Sequence, residues 1–200
     1  MGLRRALLIL PLIASVTVAS EFRARMDLQK FVDDPAALNT LKIEYLRGDN
    51  NIAIFVYGTG KIVRQTLPHP FTSLVPTCQA RLDQARVRTI VQALISHHFF
   101  DLPQKSYIYM TADDDSVKDL NVHCIILDDG RVNARRDFAY GTFNGKREEV
   151  PSDFVAMEKL VQQLADDVIG IKPCTLAPRI QLSPTPPRVP LPPSHAQRQN

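Results

Sequence analysis

The segment from Leu120 to Phe138 restricts the fold more than any other part of the chain. Leu120, Val122, Cys124 and Ile126 alternate along one stretch, and Val132, Ala134 and Phe138 recur beyond Asp128-Asp129-Gly130. Period-two alternation sends neighbouring side chains to opposite faces of a strand. A three-residue loop at Asp128-Asp129-Gly130 puts Ile126 opposite Val132 and Cys124 opposite Ala134. A two-residue loop would set Ile126 against Asn133 and spoil the face, so the hydrophobic pattern selects the longer loop. The expectation is an antiparallel hairpin with Cys124 on the core side. His123 then points the other way, among Asn121, Ile125 and Leu127.

The rest of the body is read around this hairpin. Leu41 to Arg47 alternates as a half-buried strand. Ile52 to Tyr57 is apolar on both faces and suits a central strand, and Gly58-Thr59-Gly60 turns it into the next strand. The segment from Leu67 to Cys78 holds three prolines in twelve residues and reads as a loop. From Ala80 to Phe100 the apolar residues Val87, Ile90, Val91, Leu94 and Ile95 form a helical stripe, with Phe99, Phe100 and Leu102 closing onto the core. A second helix begins at an N-cap Ser152, carries Phe154, Met157, Leu160, Val161, Leu164 and Val168, and ends at Gly170. The order is strand, strand, strand, helix, strand, strand, helix. It predicts an α+β domain over residues 41–172, with an antiparallel sheet of about five strands and two helices packed on one face. Residues 21–40 form a lead-in broken at Pro35, and residues 173–200 a proline-rich, disordered tail.

In their order, the hairpin IFVYGTGKIV, the helix ending HHFFDL, the loop SYIYMTADDDS, the second hairpin with DGRV and the closing helix form a pattern. It resembles an uncharacterised bacterial family, domain of unknown function 6438, over most of Leu41 to Asp167. That family often carries Cys-Pro-x-Tyr at its first strand, where this chain has NIAIFVYG. The resemblance implies an exported α+β domain and supplies no activity.

The chain opens with Arg4-Arg5, an uncharged run from Ala6 to Ala19, and then Glu21, Arg23 and Arg25. This is the layout of a secretory signal peptide cleaved after Ser20, with Val18 and Ser20 as the small residues at the cut. The uncharged run is short for a permanent anchor, so no stable membrane span is expected after cleavage. Export to the periplasm or beyond places Cys78, Cys124 and Cys174 in an oxidising compartment. Cys124 is expected to be buried and free. Cys78 and Cys174 lie in proline-flanked loops and are the favoured disulfide pair.

Lys and Arg total 24 against 21 Asp and Glu. The leader and the tail hold five of the bases and none of the acids, which leaves a slightly acidic body. Such a body is not built to neutralise phosphates, so nucleic acid is not an expected partner.

Chemistry-bearing motifs are sparse. The histidines His69, His97, His98, His123 and His195 form no zinc spacing, and no nucleophile elbow or phosphate-binding loop is present. No cofactor is expected beyond a divalent cation at the acidic loop. That loop places Asp113, Asp114 and Asp115 ahead of Asp119 and offers oxygen ligands, with Asp113, Asp115 and Asp119 as the candidate set. The spacing is not that of an EF-hand: from Asp113, position 6 is Lys118 and position 12 is Cys124. In the tail, Pro184, Pro187, Pro190 and Pro193 recur every third residue. On a polyproline II helix these share one edge, a docking strip for a partner. The sequence therefore points to an exported, non-enzymatic binding or interaction module for a protein or envelope component. The alternative is a metal-assisted hydrolase using the Asp113–Asp115 loop.

Overall fold

Ile52–Tyr57, apolar on both faces, sits at the middle of a seven-stranded sheet. The structure, a computed structural model, describes residues 26–48, 51–67, 72–103, 121–143, 146–147, 149–170 and 173–184. Two short helices come first, α1 (Leu28–Asp33) and α2 (Pro35–Leu38). Strands β1 (Lys42–Arg47), β2 (Ile52–Tyr57), β3 (Lys61–Thr66) and β4 (Leu74–Arg81) follow. Helix α3 (Gln84–Ser96) and a 3-10 turn (Phe99–Asp101) lead to β5 (Asn121–Asp128) and β6 (Asn133–Tyr140). A small hairpin, β7 (Thr142–Phe143) and β8 (Lys146–Arg147), precedes α4 (Ser152–Ile169) and β9 (Thr175–Pro178). The main sheet runs β6-β5-β1-β2-β3-β4-β9, antiparallel at every pairing.

The α+β class holds, and the sheet is larger than expected. Leu74–Arg81, read as loop and helix start because of its prolines, is β4. Its pairing with β3 runs from Arg81 to Thr77 and stops one residue before Pro76, where the missing N–H would otherwise interrupt the ladder. Helix α3 accordingly starts at Gln84 and not at Ala80, with the Asp83 carboxylate accepting the Arg86 N–H at 2.7 Å. Helix α4 starts at Ser152, but Pro151 is the N-cap residue. Residues 173–184, assigned to the tail, form β9 and an extended strap.

The register of the β5–β6 hairpin also differs. Asp128 pairs with Asn133 and Leu127 with Ala134, so four residues, Asp129 to Val132, make the loop. Asp129 Oδ1 accepts the N–H groups of Arg131 (2.9 Å) and Val132 (2.7 Å), and Asp128 Oδ1 accepts that of Gly130 (2.8 Å). Side-chain oxygens holding local N–H groups stabilise this wider turn. The shift pairs Ile126 with Arg135 and Cys124 with Asp137. Ile125, Leu127 and Phe138 face the helices, together with His123, while Cys124 and Ile126, expected on the core side, are buried on the opposite face of the sheet.

Two cores follow. The larger lies between the sheet and the helices and joins Ile43, Tyr45, Ile54, Val56, Ile62, Ile125 and Phe138 to Phe31, Leu38, Val87, Leu94, Phe154 and Val161. The lead-in is part of this core through Leu28, Phe31, Ala37 and Leu38. The smaller core lies on the opposite face, where Ala53, Phe55, Val63, Leu67 and Val75 are covered by Ile180 and Leu182. Cys78 and Cys174 are joined as a cystine with Cα atoms 4.4 Å apart, and Cys124 is a buried free thiol. No helix among the described residues is long and apolar enough to cross a membrane.

Candidate functional site

The β5–β1 and β5–β6 registers bring Arg47 opposite His123 and Tyr140 opposite Asn121 on the helix-facing side. Above them, Val155, Glu158, Lys159 and Gln162 recur at the three- and four-residue spacing of one face of α4. These eight residues line a pocket of about 300 Å³. That is the lower end of the range for small-molecule sites, and seven of the eight lining residues have polar side chains, whose apolar atoms form much of the wall.

Glu158 organises the pocket floor. Its Oε1 lies 2.8 Å from His123 Nδ1, and its Oε2 accepts a hydrogen bond from the Tyr140 hydroxyl. A carboxylate only accepts, so in this contact Nδ1 donates to Glu158. Next to it, Gln162 Nε2 donates to the Tyr45 hydroxyl at 2.5 Å, and Arg47 Nη1 donates to Gln162 Oε1 at 3.3 Å. Burial, and then the Glu158 charge, push the Tyr45 phenol well above its ordinary value, so it stays protonated. The His123 ring packs on Tyr140 with centroids 4.3 Å apart. Both members of the His123–Glu158 pair are buried.

The chemistry available here is recognition of a polar group. Among the described residues the lining contains no serine, threonine or cysteine to act as a nucleophile. Among the described residues no group of three or more His, Cys, Asp or Glu is placed to hold a metal ion. Asp113, Asp114, Asp115 and Asp119 lie outside the described residues, as do Pro187, Pro190 and Pro193. Pro184 is described, and its carbonyl accepts from Asn133 Nδ2 at 2.8 Å. A second hollow of about 300 Å³ lies between α1 and the end of α3, against Met26, Leu94 and Phe99.

The sequence points His123 away from the core face, as a surface or satisfied histidine or, in the hydrolase alternative, beside the Asp113–Asp115 carboxylates, which lie outside the described residues. Helix α4 packs on that side of β5, with Ile125 and Leu127 in the core beside it. Glu158 was the missed residue: it sits four residues after Phe154 and three before Val161, inside the apolar stripe of its helix. A carboxylate at such a position is buried only with partners, and this was the legible signal. A scan against family models and a search of curated proteins found no match to the chain.

Proposed function

We propose that this chain is an exported, non-enzymatic binding module of the domain of unknown function 6438 family, and that it holds a small polar molecule bearing an acidic group between α4 and the β1–β5–β6 end of the sheet. The convergence of Arg47, Asn121, His123, Tyr140, Glu158, Lys159 and Gln162 on one pocket carries this reading. Arg47 and Lys159 bring two positive charges to the lining, while both Glu158 oxygens are engaged by His123 and Tyr140. The balance favours an anionic ligand. Export is supported by the Cys78–Cys174 cystine, which suits an oxidising compartment, and by the leader-like N-terminus.

Titration of the isotope-labelled exported chain with acetate and succinate, with glycerol as the neutral control, tests the pocket. Saturable amide shifts at Asn121, Tyr140 and Gln162 with the acids alone support it. Shifts spread evenly over the surface, or equal effects of glycerol, defeat it. The intact mass of the same exported protein tests the leader, because retention of Met1 to Ser20 contradicts cleavage. The hydrolase alternative rests on the Asp113–Asp115 loop, and no described residue adds support to it.

A further inference from the structure

The strap from Pro178 to Pro184 crosses the sheet face opposite the helices. Gln65 on β3 clamps its beginning: Nε2 donates to the Pro178 carbonyl at 3.0 Å, and Oε1 accepts the Ile180 N–H at 2.9 Å. Glu44 on β1 clamps its end: Oε2 accepts the Ser183 N–H at 3.0 Å, and Oε1 accepts the Ser183 hydroxyl at 2.5 Å. Asn133 on β6 then holds the Pro184 carbonyl. Between the clamps, Ile180 and Leu182 cover Phe55, Val63 and Val75. From the Gln65 clamp on β3 to the Asn133 clamp on β6 the strap passes four strand spacings, about 19 Å, and the six Cα–Cα steps from 178 to 184 reach about 20 Å when extended.

This face is shaped to receive an extended peptide. Most of the clamping contacts go to strap backbone, so they read spacing more than side-chain identity. Glu44 and Gln65 are both 0% exposed with the strap in place. Without an occupant they lose these partners and Phe55 loses its cover, so an empty face is costly. The occupant is tethered at one point of special chemistry. Cys174 immediately precedes β9, and its cystine with Cys78 extends the β4–β9 ladder past Thr77–Thr175. Upstream, only residues 170–173 separate the cystine from α4, and Gly170 takes the positive φ of +49° that frees the chain to turn there.

We infer that the cystine is a lock that keeps this strap on its own sheet, and that its reduction lets the strap of a second copy take the same place, giving a strand-exchanged dimer. The redox step is balanced by a dithiol. The reductant gives two electrons and two protons to the Sγ–Sγ bond, Cys78 and Cys174 become thiols, and the dithiol closes to a cyclic disulfide. Both copies keep Glu44 and Gln65 satisfied, because each donates the segment that it receives. The inference is independent of what the pocket binds.

The test mixes ordinary and nitrogen-15-labelled full exported chains. They are reduced with dithiothreitol at about 1 mM protein, the effective concentration of a short tether, and then reoxidised. Mass spectrometry of the linked Cys78 and Cys174 peptides should find mixed-isotope pairs, and light scattering should find a dimer. A mixture oxidised throughout should give same-isotope pairs and a monomer. Hydrogen exchange on the reduced chain should show Ile180 and Ser183 amides losing protection by about tenfold or more, with β1 to β3 still protected. Same-isotope pairs alone after reduction overturn the inference. So does loss of protection over the whole sheet, because the strap is then not separately releasable.

Discussion

His123 Nδ1 lies 2.8 Å from Glu158 Oε1, with 8% and 5% of the two side chains exposed. The contact ties β5 to α4 at the floor of the pocket. Removing one partner of such a buried pair leaves the other without compensation, so Glu158→Ala should cost about 3–5 kcal/mol. Glu158→Gln keeps the volume and one acceptor oxygen and should cost about 1–3 kcal/mol. Urea unfolding of both variants checks the ordering; equal losses would mean that packing, not the acceptor, matters at this position.

Burial pushes the Cys124 thiol up to about 12 from its ordinary 9.0. The folded chain therefore holds this proton across an interval in which the unfolded chain has lost it. Stability contributed by the protonated thiol is full below about pH 9 and falls as pH rises toward 12. Cys124→Ala should flatten that alkaline decline in chemical-denaturation midpoints. At pH 8 an aromatic disulfide reagent should label no thiol in the native oxidised chain and one in the unfolded chain.

Gly58 and Gly130 separate two reasons for glycine. A Cβ on Gly58 would stand 1.6 Å from the Leu38 carbonyl oxygen, where α2 meets the β2–β3 turn. Gly58→Ala must displace backbone and should cost about 3 kcal/mol or more. Gly130 has open space around its Cβ position and is held at a φ of +82°. Gly130→Ala should cost about 1–2 kcal/mol from that backbone conformation alone. Thermal unfolding in one buffer compares them.

Ser183 donates its N–H and its hydroxyl to Glu44, a residue 139 positions earlier. Ser183→Ala removes the hydroxyl from a wholly buried carboxylate and should cost about 1–3 kcal/mol. The change should concentrate in the exchange rates of the strap amides and leave those of α3 unchanged. Uniform acceleration across both would show that strap and helices unfold as one unit.

Elements with local patterns were readable directly along the chain. Ile52 to Tyr57 announced a central strand because both of its faces are apolar, and it lies mid-sheet. Gly58-Thr59-Gly60 announced the β2–β3 turn, and Gly60 takes the positive φ that the turn requires. The stripes of α3 and α4, with Val91, Leu94, Met157 and Val161 buried, were legible from 3.6-residue spacing. Tertiary structure decided the rest. Alternation along β5 could not say which face met the helices, because the strap buries the second face and both sets of side chains leave water. The wider hairpin turn is held by one Asp129 oxygen, Oδ1, which accepts two N–H groups, a local geometry that hydrophobic pattern does not encode. Strand β4 and the strap pair with segments far away in the chain, and that pairing outweighs their proline-rich composition. The pocket exists only because α4 packs on the His123 side of β5, so its residues become one site in space and nowhere along the chain.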